Sequence, residues 1–138
     1  MLYDEPIRDV FARHYVWQLW NPLNVDAMHE GAQSLLGEHD FKSYETSGSP
    51  RVSTIRTIHD IFVERRMTDH GTRIVIEVES NGFLYNMVRN IVGTLVEVGK
   101  GNRAADWPGE VLTKQDRRAA GATAPPQGLY LLKVNYNI

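Results

Sequence analysis

The chain contains no cysteine, and this absence removes several classes of protein from consideration. Without thiols it can form neither disulfides nor thiolate metal sites, so a secreted disulfide-stabilised scaffold is excluded. A reducing compartment, the cytoplasm, is the natural expectation. No apolar run approaches the roughly 20 residues of a membrane-spanning helix, and no signal peptide is recognisable at the start of the chain. We therefore expect no membrane partner.

The sequence also lacks a strong excess of charge, because its formal net charge is only −2. Repeats and low-complexity tracts are missing as well. With 138 residues, 42% of them hydrophobic and 23% charged, the composition is that of one globular domain with room for a core. Nucleic-acid binding would therefore require a local basic face rather than a basic protein.

Hydrophobic periodicity and turn residues predict alternating strands and helices. Strands are predicted over residues 14–19, 55–67, 74–78 and 128–136. A helix follows Asn24 as its N-cap and is stopped by Gly37, and residues 37–54 are predicted to be a loop. In the strand 55–67 the alternation breaks, which predicts a bulge near His59 and Asp60.

A hydrophobic helix within residues 82–99 and a shorter one from Asp106, with Pro108 in its first turn, complete the pattern. The order is strand, helix, strand, strand, helix, short helix, strand. This order predicts an α+β fold of the ferredoxin-like or RRM-like type, an antiparallel sheet with helices packed on one face. Many unrelated proteins share that topology, so the fold does not settle the function.

The stretch "GFLYNMVRNIVGTLVEVGKG" carries a charge that an ordinary buried helix would not need. Its apolar residues form a wide stripe that we expect to face the core. A second stripe is polar or small and consists of Asn86, Arg89, Asn90 and Gly93. Glycine inside a helix costs about 1 kcal/mol relative to alanine, so something should pack closely on that stripe. Periodicity alone favours an arginine at the surface, with its side chain lying across apolar neighbours. The same position also suits an arginine that binds an anion across a gap.

Two further pairs have both a structural and a functional interpretation. His39 and Asp40 resemble a catalytic or metal pair, but without a third ligand a hydrogen-bonding role in a loop is favoured. Phe83 and Tyr85 could stack on bases, as in readers of single-stranded RNA. The pattern favours the core for Phe83 and leaves Tyr85 open.

A short basic run near the end of the chain comprises Lys114, Arg117 and Arg118. These side chains could contact phosphate groups. A solvated helix face is the simpler interpretation, and it is the one that we predict.

Several segments together resemble the tRNA pseudouridine synthase A family. They occur in family order from about Trp20 to Tyr136 and read "LNVDAMHEGAQSLLGEHDFKSY", "STIRTI", "FLYNMVRNIVGTLVEVGKG" and "AGATAPPQGLYLLKVNY". The resemblance covers only the C-terminal half of the family. The other half carries Gly-Arg-Thr-Asp-Ala-Gly, whose Asp is the nucleophile, and no such motif occurs here. Tyr15 falls downstream of the position where the family has its base-stacking Tyr.

The resemblance implies a role for Arg89, since the family's Arg in Met-Val-Arg-Asn reaches across a cleft to the catalytic Asp. It also implies that Leu129 forms an apolar wall against the uracil, and Tyr85, Asn86 and Asn90 are predicted to bind the substrate as well. The stripe around Arg89 would be covered by the other domain. Family chemistry needs neither a cofactor nor a metal.

On this basis residues 1–138 are predicted to be one domain, the C-terminal half of an enzyme that converts uridine to pseudouridine in the anticodon stem-loop of tRNA. The expected partners are tRNA, an N-terminal domain with the nucleophile, and a second subunit, because the family forms homodimers. The chain alone should be inactive. A stand-alone RNA-binding module and a non-catalytic interaction domain are the alternatives.

Overall fold

The computed structural model describes residues 2–3, 17–19, 22–46, 53–68, 71–127 and 129. The described strands form one sheet in the spatial order β2-β1-β5-β4-β3. Their bounds are β1 Leu2–Tyr3, β2 Trp17–Gln18, β3 Gly37–Asp40, β4 Ile55–Thr68 and β5 Gly71–Ser80. Strands β3, β4 and β5 pair antiparallel, whereas β1 and β2 form a short parallel pair. The predicted last strand, residues 128–136, lies outside the described residues except for Leu129. Residues 14–16 of the predicted first strand, which include Tyr15, also lie outside them.

The long hairpin of β4 and β5 is the centre of the sheet. Thr68 pairs with Gly71, so β4 ends and β5 begins at this pair. The register shifts between Ile58 and Asp60, which confirms the predicted bulge. This extra residue returns Ile58 to the face of Ile61, and both side chains are buried in the same core. The bulge therefore lets a strand with broken alternation bury one continuous face.

Helix α1 (Val25–Gln33) packs on β4. It begins as predicted, because the side chain of Asn24 accepts a hydrogen bond from the backbone N–H of Ala27 at 3.1 Å. The helix ends at Gln33, earlier than Gly37. The Gln33 amide donates to the carbonyl of Ile61 at 2.8 Å, which ties the end of the helix to the sheet.

Helices α2 (Met87–Gly99) and α3 (Trp107–Lys114) complete the layer over the sheet. Helix α2 contacts both α1 and α3. The residues that join the helices to the sheet in one buried core include Met28, Leu35, Ile61, Ile74, Met87, Ile91, Leu95 and Val111. The predicted α+β architecture with helices on one face of an antiparallel sheet is therefore confirmed. Asp106 and Pro108 start α3 as predicted.

The prediction of a loop over residues 37–54 was wrong in part. Residues 37–40 form β3, which pairs with β4, and Lys42–Tyr44 form a 3₁₀ turn. Gly37 has a φ of 94°, so the glycine allows the sharp entry into β3. The local sequence resembles a loop because this short edge strand is formed by backbone pairing with β4 rather than by a hydrophobic pattern. Among the described helices, none is both long and apolar enough to cross a membrane.

Candidate polar site at the start of helix α2

The site lies where the chain enters α2. The helix begins at Met87, later than the hydrophobic stretch suggested, and Asn86 precedes it in a left-handed conformation with a φ of 57°. Phe83 and Tyr85 therefore lie before the helix and are 39% and 52% exposed. The expectation that Phe83 belongs to the core was wrong, because in this segment before the helix Leu84, 3% exposed, is the residue whose side chain enters the core.

Arg89 lies on the first turn of α2 and is half-buried. Its Nε donates to the carbonyl oxygen of Ala124 at 2.8 Å, and its Nη1 donates to Oδ1 of Asn86 at 3.1 Å. The backbone N–H of Ala124 in turn donates to the carbonyl of Arg89 at 3.0 Å. Among the described residues, Nη2 makes no hydrogen bond and no carboxylate pairs with this guanidinium. Arg89 thus has donors remaining for an anion.

The amide of Asn86 is held between Arg89 and Thr46. Its Nδ2 donates to Oγ1 of Thr46 at 3.3 Å, while its Oδ1 accepts from Arg89. The backbone N–H of Thr46 donates to the carbonyl of Tyr85 at 3.0 Å. These contacts join the segment after the 3₁₀ turn Lys42–Tyr44 to the entry of α2.

Asn90 is completely buried, one turn further along the helix. Its Oδ1 accepts from Arg117 at 3.0 Å and from Thr123 at 2.6 Å. Its Nδ2 donates to the Tyr44 carbonyl at 2.8 Å and to Thr46 at 3.3 Å. All four hydrogen-bonding positions of the amide are used. This placement does not fit the expected direct contact of Asn90 with substrate, because the amide instead joins Tyr44 and Thr46 to Arg117 and Thr123.

The covering segment, residues 116–124, lies against the same side of α2. A Cβ built on Gly93 would be 1.7 Å from the carbonyl oxygen of Ala122, and one on Gly121 would be 2.8 Å from the carbonyl oxygen of Gly93. The backbone N–H of Gly121 also donates to Oγ1 of Thr94 at 3.0 Å. The predicted close approach at Gly93 is therefore present. It is made by this chain itself, which corrects the expectation that the other domain covers this part of the stripe.

The basic run is divided between two environments, which corrects the prediction of a single solvated helix face. Arg117 turns inward and donates through Nη2 to Asn90 and to Thr123, the latter at 3.0 Å. Arg118 pairs with Asp116 on the surface at 3.0 Å, and this contact lowers the pKa of the Asp116 carboxyl. Helix α3 ends at Lys114, so the arginines fall in a separate 3₁₀ turn and face different ways.

Burial perturbs the ionisable groups of two residues that bond to Asn90, Tyr44 through its carbonyl and Arg117 through its guanidinium. It raises the pKa of the Tyr44 hydroxyl far above its ordinary value, although Arg117 opposes the shift. It also lowers the pKa of Arg117, an effect opposed by the Tyr44 hydroxyl. The Tyr44 hydroxyl donates to the carbonyl of Pro108 at 2.8 Å. Tyr44 is thus kept neutral and structural.

The remaining predicted residues are placed as follows. Leu129 is 51% exposed and its N–H donates to the carbonyl of Pro126 at 3.1 Å. Asp40 accepts hydrogen bonds from Thr54 at 2.5 Å and from the backbone of Lys42 at 3.1 Å. His39 contacts the Leu36 carbonyl through Nε2 at 2.7 Å. The hydrogen-bonding interpretation of His39 and Asp40 is confirmed.

Sequence reasoning missed Thr46, Thr123 and the inward role of Arg117. Nothing in their local sequence marks them, since the residues that they contact are distant along the chain. The small residues of the covering segment were the available signal, because Gly121 and Ala122 match the gap at Gly93. In the part of the chain that the structure describes, no three His, Asp or Glu side chains are arranged to hold a metal ion.

The fold and the site together define an α+β domain that presents one half-buried arginine, with unused donors, at the start of helix α2. The sequence profile of the tRNA pseudouridine synthase family matches residues 32–137. The tRNA pseudouridine synthase A of Thermoanaerobacter sp. (strain X514) is 49% identical over 124 residues, which cover 90% of this chain and 49% of the relative. The chain therefore belongs to the tRNA pseudouridine synthase family.

Other relatives agree with this assignment. The tRNA pseudouridine synthase A of Pseudomonas aeruginosa is 42% identical over 135 residues, covering 98% of this chain and 46% of the relative. That of Coxiella burnetii (strain RSA 331) is 42% identical over 138 residues, covering 99% and 51%. The chain spans about half the length of the curated relatives that it matches.

Proposed function

We propose that this chain is the C-terminal domain of a tRNA pseudouridine synthase that converts uridine to pseudouridine in the anticodon stem-loop. A companion N-terminal domain would supply the nucleophilic Asp. The observation that carries the proposal is Arg89, which is anchored on one side by Ala124 and Asn86 and has no acidic partner among the described residues.

The geometry of the guanidinium supports a carboxylate as its missing partner. With Nε and one hydrogen of Nη1 already used, Nη1 keeps one hydrogen and Nη2 keeps two. A carboxylate can accept from both nitrogens in a bidentate contact, which a lysine ammonium cannot reproduce. A guanidinium in hydrogen-bond contact with the Asp carboxylate would also keep the Asp ionised, as a nucleophile requires.

Two exposed side chains, Tyr85 and Leu129, suit an uncharged base. Tyr85 is 52% exposed, and its carbonyl accepts from Thr46 beside Asn86. Leu129, 51% exposed, follows the covering segment whose Ala124 holds Arg89. We assign Tyr85 to base stacking and Leu129 to the apolar wall of the uracil site, and we place Asn86 at the substrate side of Arg89.

The proposed reaction is an isomerisation and needs no cofactor. The Asp carboxylate of the companion domain attacks C1′ of the ribose, the bond between C1′ and N1 breaks, and the uracil leaves with the electron pair and rotates. C5 of the base then bonds to C1′ and displaces the Asp carboxylate, after which C5 loses its proton and N1 takes one up. This chain contributes the cation that orients the Asp and the walls that hold the base.

We further propose that the enzyme is a cytoplasmic homodimer that acts on tRNA. The chain alone, with its net charge of −2, should bind tRNA weakly and with steep salt dependence, because few phosphates can be neutralised. Tight tRNA binding that persists at high salt would instead favour a stand-alone RNA-binding module.

Release of tritium from tRNA labelled at C5 of uridine tests the proposal directly. We expect no release by the 138-residue chain alone. We expect release by a full-length protein in which the companion domain precedes this chain. In that protein Arg89→Met should reduce turnover by about 10²-fold or more, as for loss of one preorganised electrostatic group.

Arg66→Met is the matched control, since Arg66 lies on the hairpin and pairs on the surface with Glu64 and Glu77. Turnover by the Arg66→Met protein should equal that of the parent. Tritium release by the chain alone, or full turnover after Arg89→Met, would overturn the proposal.

A further inference from the structure

Asn86 adopts a backbone conformation that side chains rarely take. Its φ of 57° and ψ of 15° are left-handed, and Asn tolerates this region better than most residues other than glycine. The usual reason for Asn at the start of a helix is a side-chain cap, in which Oδ1 accepts from a free helical N–H. No such hydrogen bond is made here. The amide of Asn86 instead bonds to Arg89 and Thr46.

Donor and acceptor chemistry fixes which way this amide faces. A guanidinium can only donate, so Arg89 must meet the Oδ1 of Asn86. The Nδ2 then points to Oγ1 of Thr46, which is able to accept. The same logic excludes a flipped amide, because Nδ2 facing Arg89 would set donor against donor. The order Thr46, Asn86, Arg89 is therefore a directed chain of hydrogen bonds.

Thr46 is itself fixed. Its backbone N–H is bonded to the carbonyl of Tyr85, the residue before Asn86, and its hydroxyl also accepts from the buried amide of Asn90. The anchor of the chain is thus attached to the core, whereas its end, the guanidinium of Arg89, is half-exposed. Ala124 holds the opposite side through Nε.

We infer that Asn86 is a positioning residue for Arg89, with Thr46 as its anchor, and that its left-handed conformation exists to place the amide under the guanidinium. The contact takes one hydrogen of Nη1 and leaves Nη2 without a hydrogen bond among the described residues, so that it can donate to the carboxylate. The inference rests on the proposed function of Arg89. It differs from a direct substrate contact, because Asn86 acts on the reaction only through the arginine.

The test uses the full-length synthase described above, with turnover and KM measured by tritium release and folding measured by thermal unfolding. Asn86→Gly permits the left-handed backbone and removes only the amide. We expect kcat to fall by roughly 10- to 100-fold, as for a small misplacement of a catalytic group. KM for tRNA should stay within about twofold, since phosphate contacts are untouched.

Two further variants separate positioning from structure. Thr46→Val removes the hydroxyl and should lower kcat by a smaller factor, whereas Thr46→Ser retains the hydroxyl and should restore most of the loss. In an Arg89→Lys background, where no Nη1 exists, Asn86→Gly should have little further effect, because coupled residues are not additive. Asn102→Ala, which alters an exposed amide at the far end of α2 that contacts Glu97, is the control and should leave kcat unchanged.

The outcomes are distinct. An unchanged kcat after Asn86→Gly, or an equal fall of kcat in the Arg89→Lys background, would overturn the inference while leaving the role of Arg89 intact. If Arg89→Met itself leaves turnover unchanged, the proposed function fails first. A lowered unfolding temperature with the same kcat would assign Asn86 to folding alone and would also overturn the inference.

Discussion

Two successive turns on one side of helix α2 have opposite surroundings. In the first turn, Asn86 and Arg89 face partly outward, and the guanidinium retains unused donors. In the next turn, Asn90 and Gly93 are buried under the covering segment, where the Asn90 amide is fully bonded. In the sequence, both turns belong to one stripe of polar or small residues. The difference shows that one part of such a stripe can pack against the same chain while the part next to it keeps polar groups accessible.

The boundary between the two turns is set by Arg117 and Ala124 of the covering segment. Arg117 turns inward and donates to Asn90. At the other end of the segment, the carbonyl of Ala124 accepts from the Nε of Arg89. The segment thus buries one turn and holds the arginine of the other at its edge. Substitutions in each turn should therefore have different effects on the stability of the isolated chain.

The largest effect on stability is expected at the buried turn. Asn90→Ala removes every bond of the amide and leaves Arg117, Thr123 and the Tyr44 carbonyl without this partner. Because each buried group left unsatisfied costs about 1–3 kcal/mol, we expect a loss of about 3–4 kcal/mol in the free energy of unfolding. Denaturant melts measure it. Asn102→Ala should stay within about 0.5 kcal/mol, and a similar value for Asn90→Ala would remove the distinction between the turns.

Gly93→Ala should also destabilise the chain, although alanine is the better helix former. The new Cβ would lie 1.7 Å from the Ala122 carbonyl oxygen, so the backbone of the covering segment must move. We expect a net loss of about 2–3 kcal/mol. Gly82→Ala is the control, because its Cβ would lie 3.4 Å from the Arg56 side chain, an ordinary contact. Equal stability of the two variants would mean that the segment is not held against the helix.

Alkaline pH should destabilise the chain through Tyr44, whose carbonyl accepts from Asn90 of the buried turn. Its folded-state pKa is raised by burial, so above pH ~10 the unfolded chain releases the proton first. The stabilisation is complete below that pH and is lost as pH rises, by up to about 1.4 kcal/mol per unit. Tyr44→Phe should lower stability at neutral pH, because the hydrogen bond to Pro108 is lost, but should flatten the alkaline decline. Parallel pH profiles for the two proteins would contradict this assignment.

The smallest effect is expected at the outward turn. Arg89→Met loses the bonds to Ala124 and Asn86 but strands no buried charge, so we expect a cost of about 1 kcal/mol in the isolated chain. The same substitution is the one expected to abolish most turnover in the full-length enzyme. Denaturant melts showing a loss of several kcal/mol would mean that Arg89 holds the fold together, and the contrast between the turns would disappear.

Local signals were reliable wherever the responsible residues are close in the chain. Asn24 caps α1, the bulge at Ile58–Asp60 repairs the alternation of β4, and Asp106 with Pro108 starts α3. The start of α2 was missed because the apolar pattern continues through the left-handed Asn86, whose side chain bonds to Thr46, a residue distant in sequence. The strand β3 was missed because its pairing partner, rather than its own residues, makes it a strand.

The sequence by itself determined the family, the α+β order of elements, the core-facing stripe of α2 and the presence of a close contact at Gly93. Only the tertiary structure decided what makes that contact and which polar residues remain accessible. Periodicity specifies the side of a helix on which a residue lies. Its neighbours on that side depend on the packing of chain segments that are tens of residues away. Asn90 and Arg89 differ for this reason alone: the covering segment reaches Gly93 and Asn90, and it ends at the edge of Arg89.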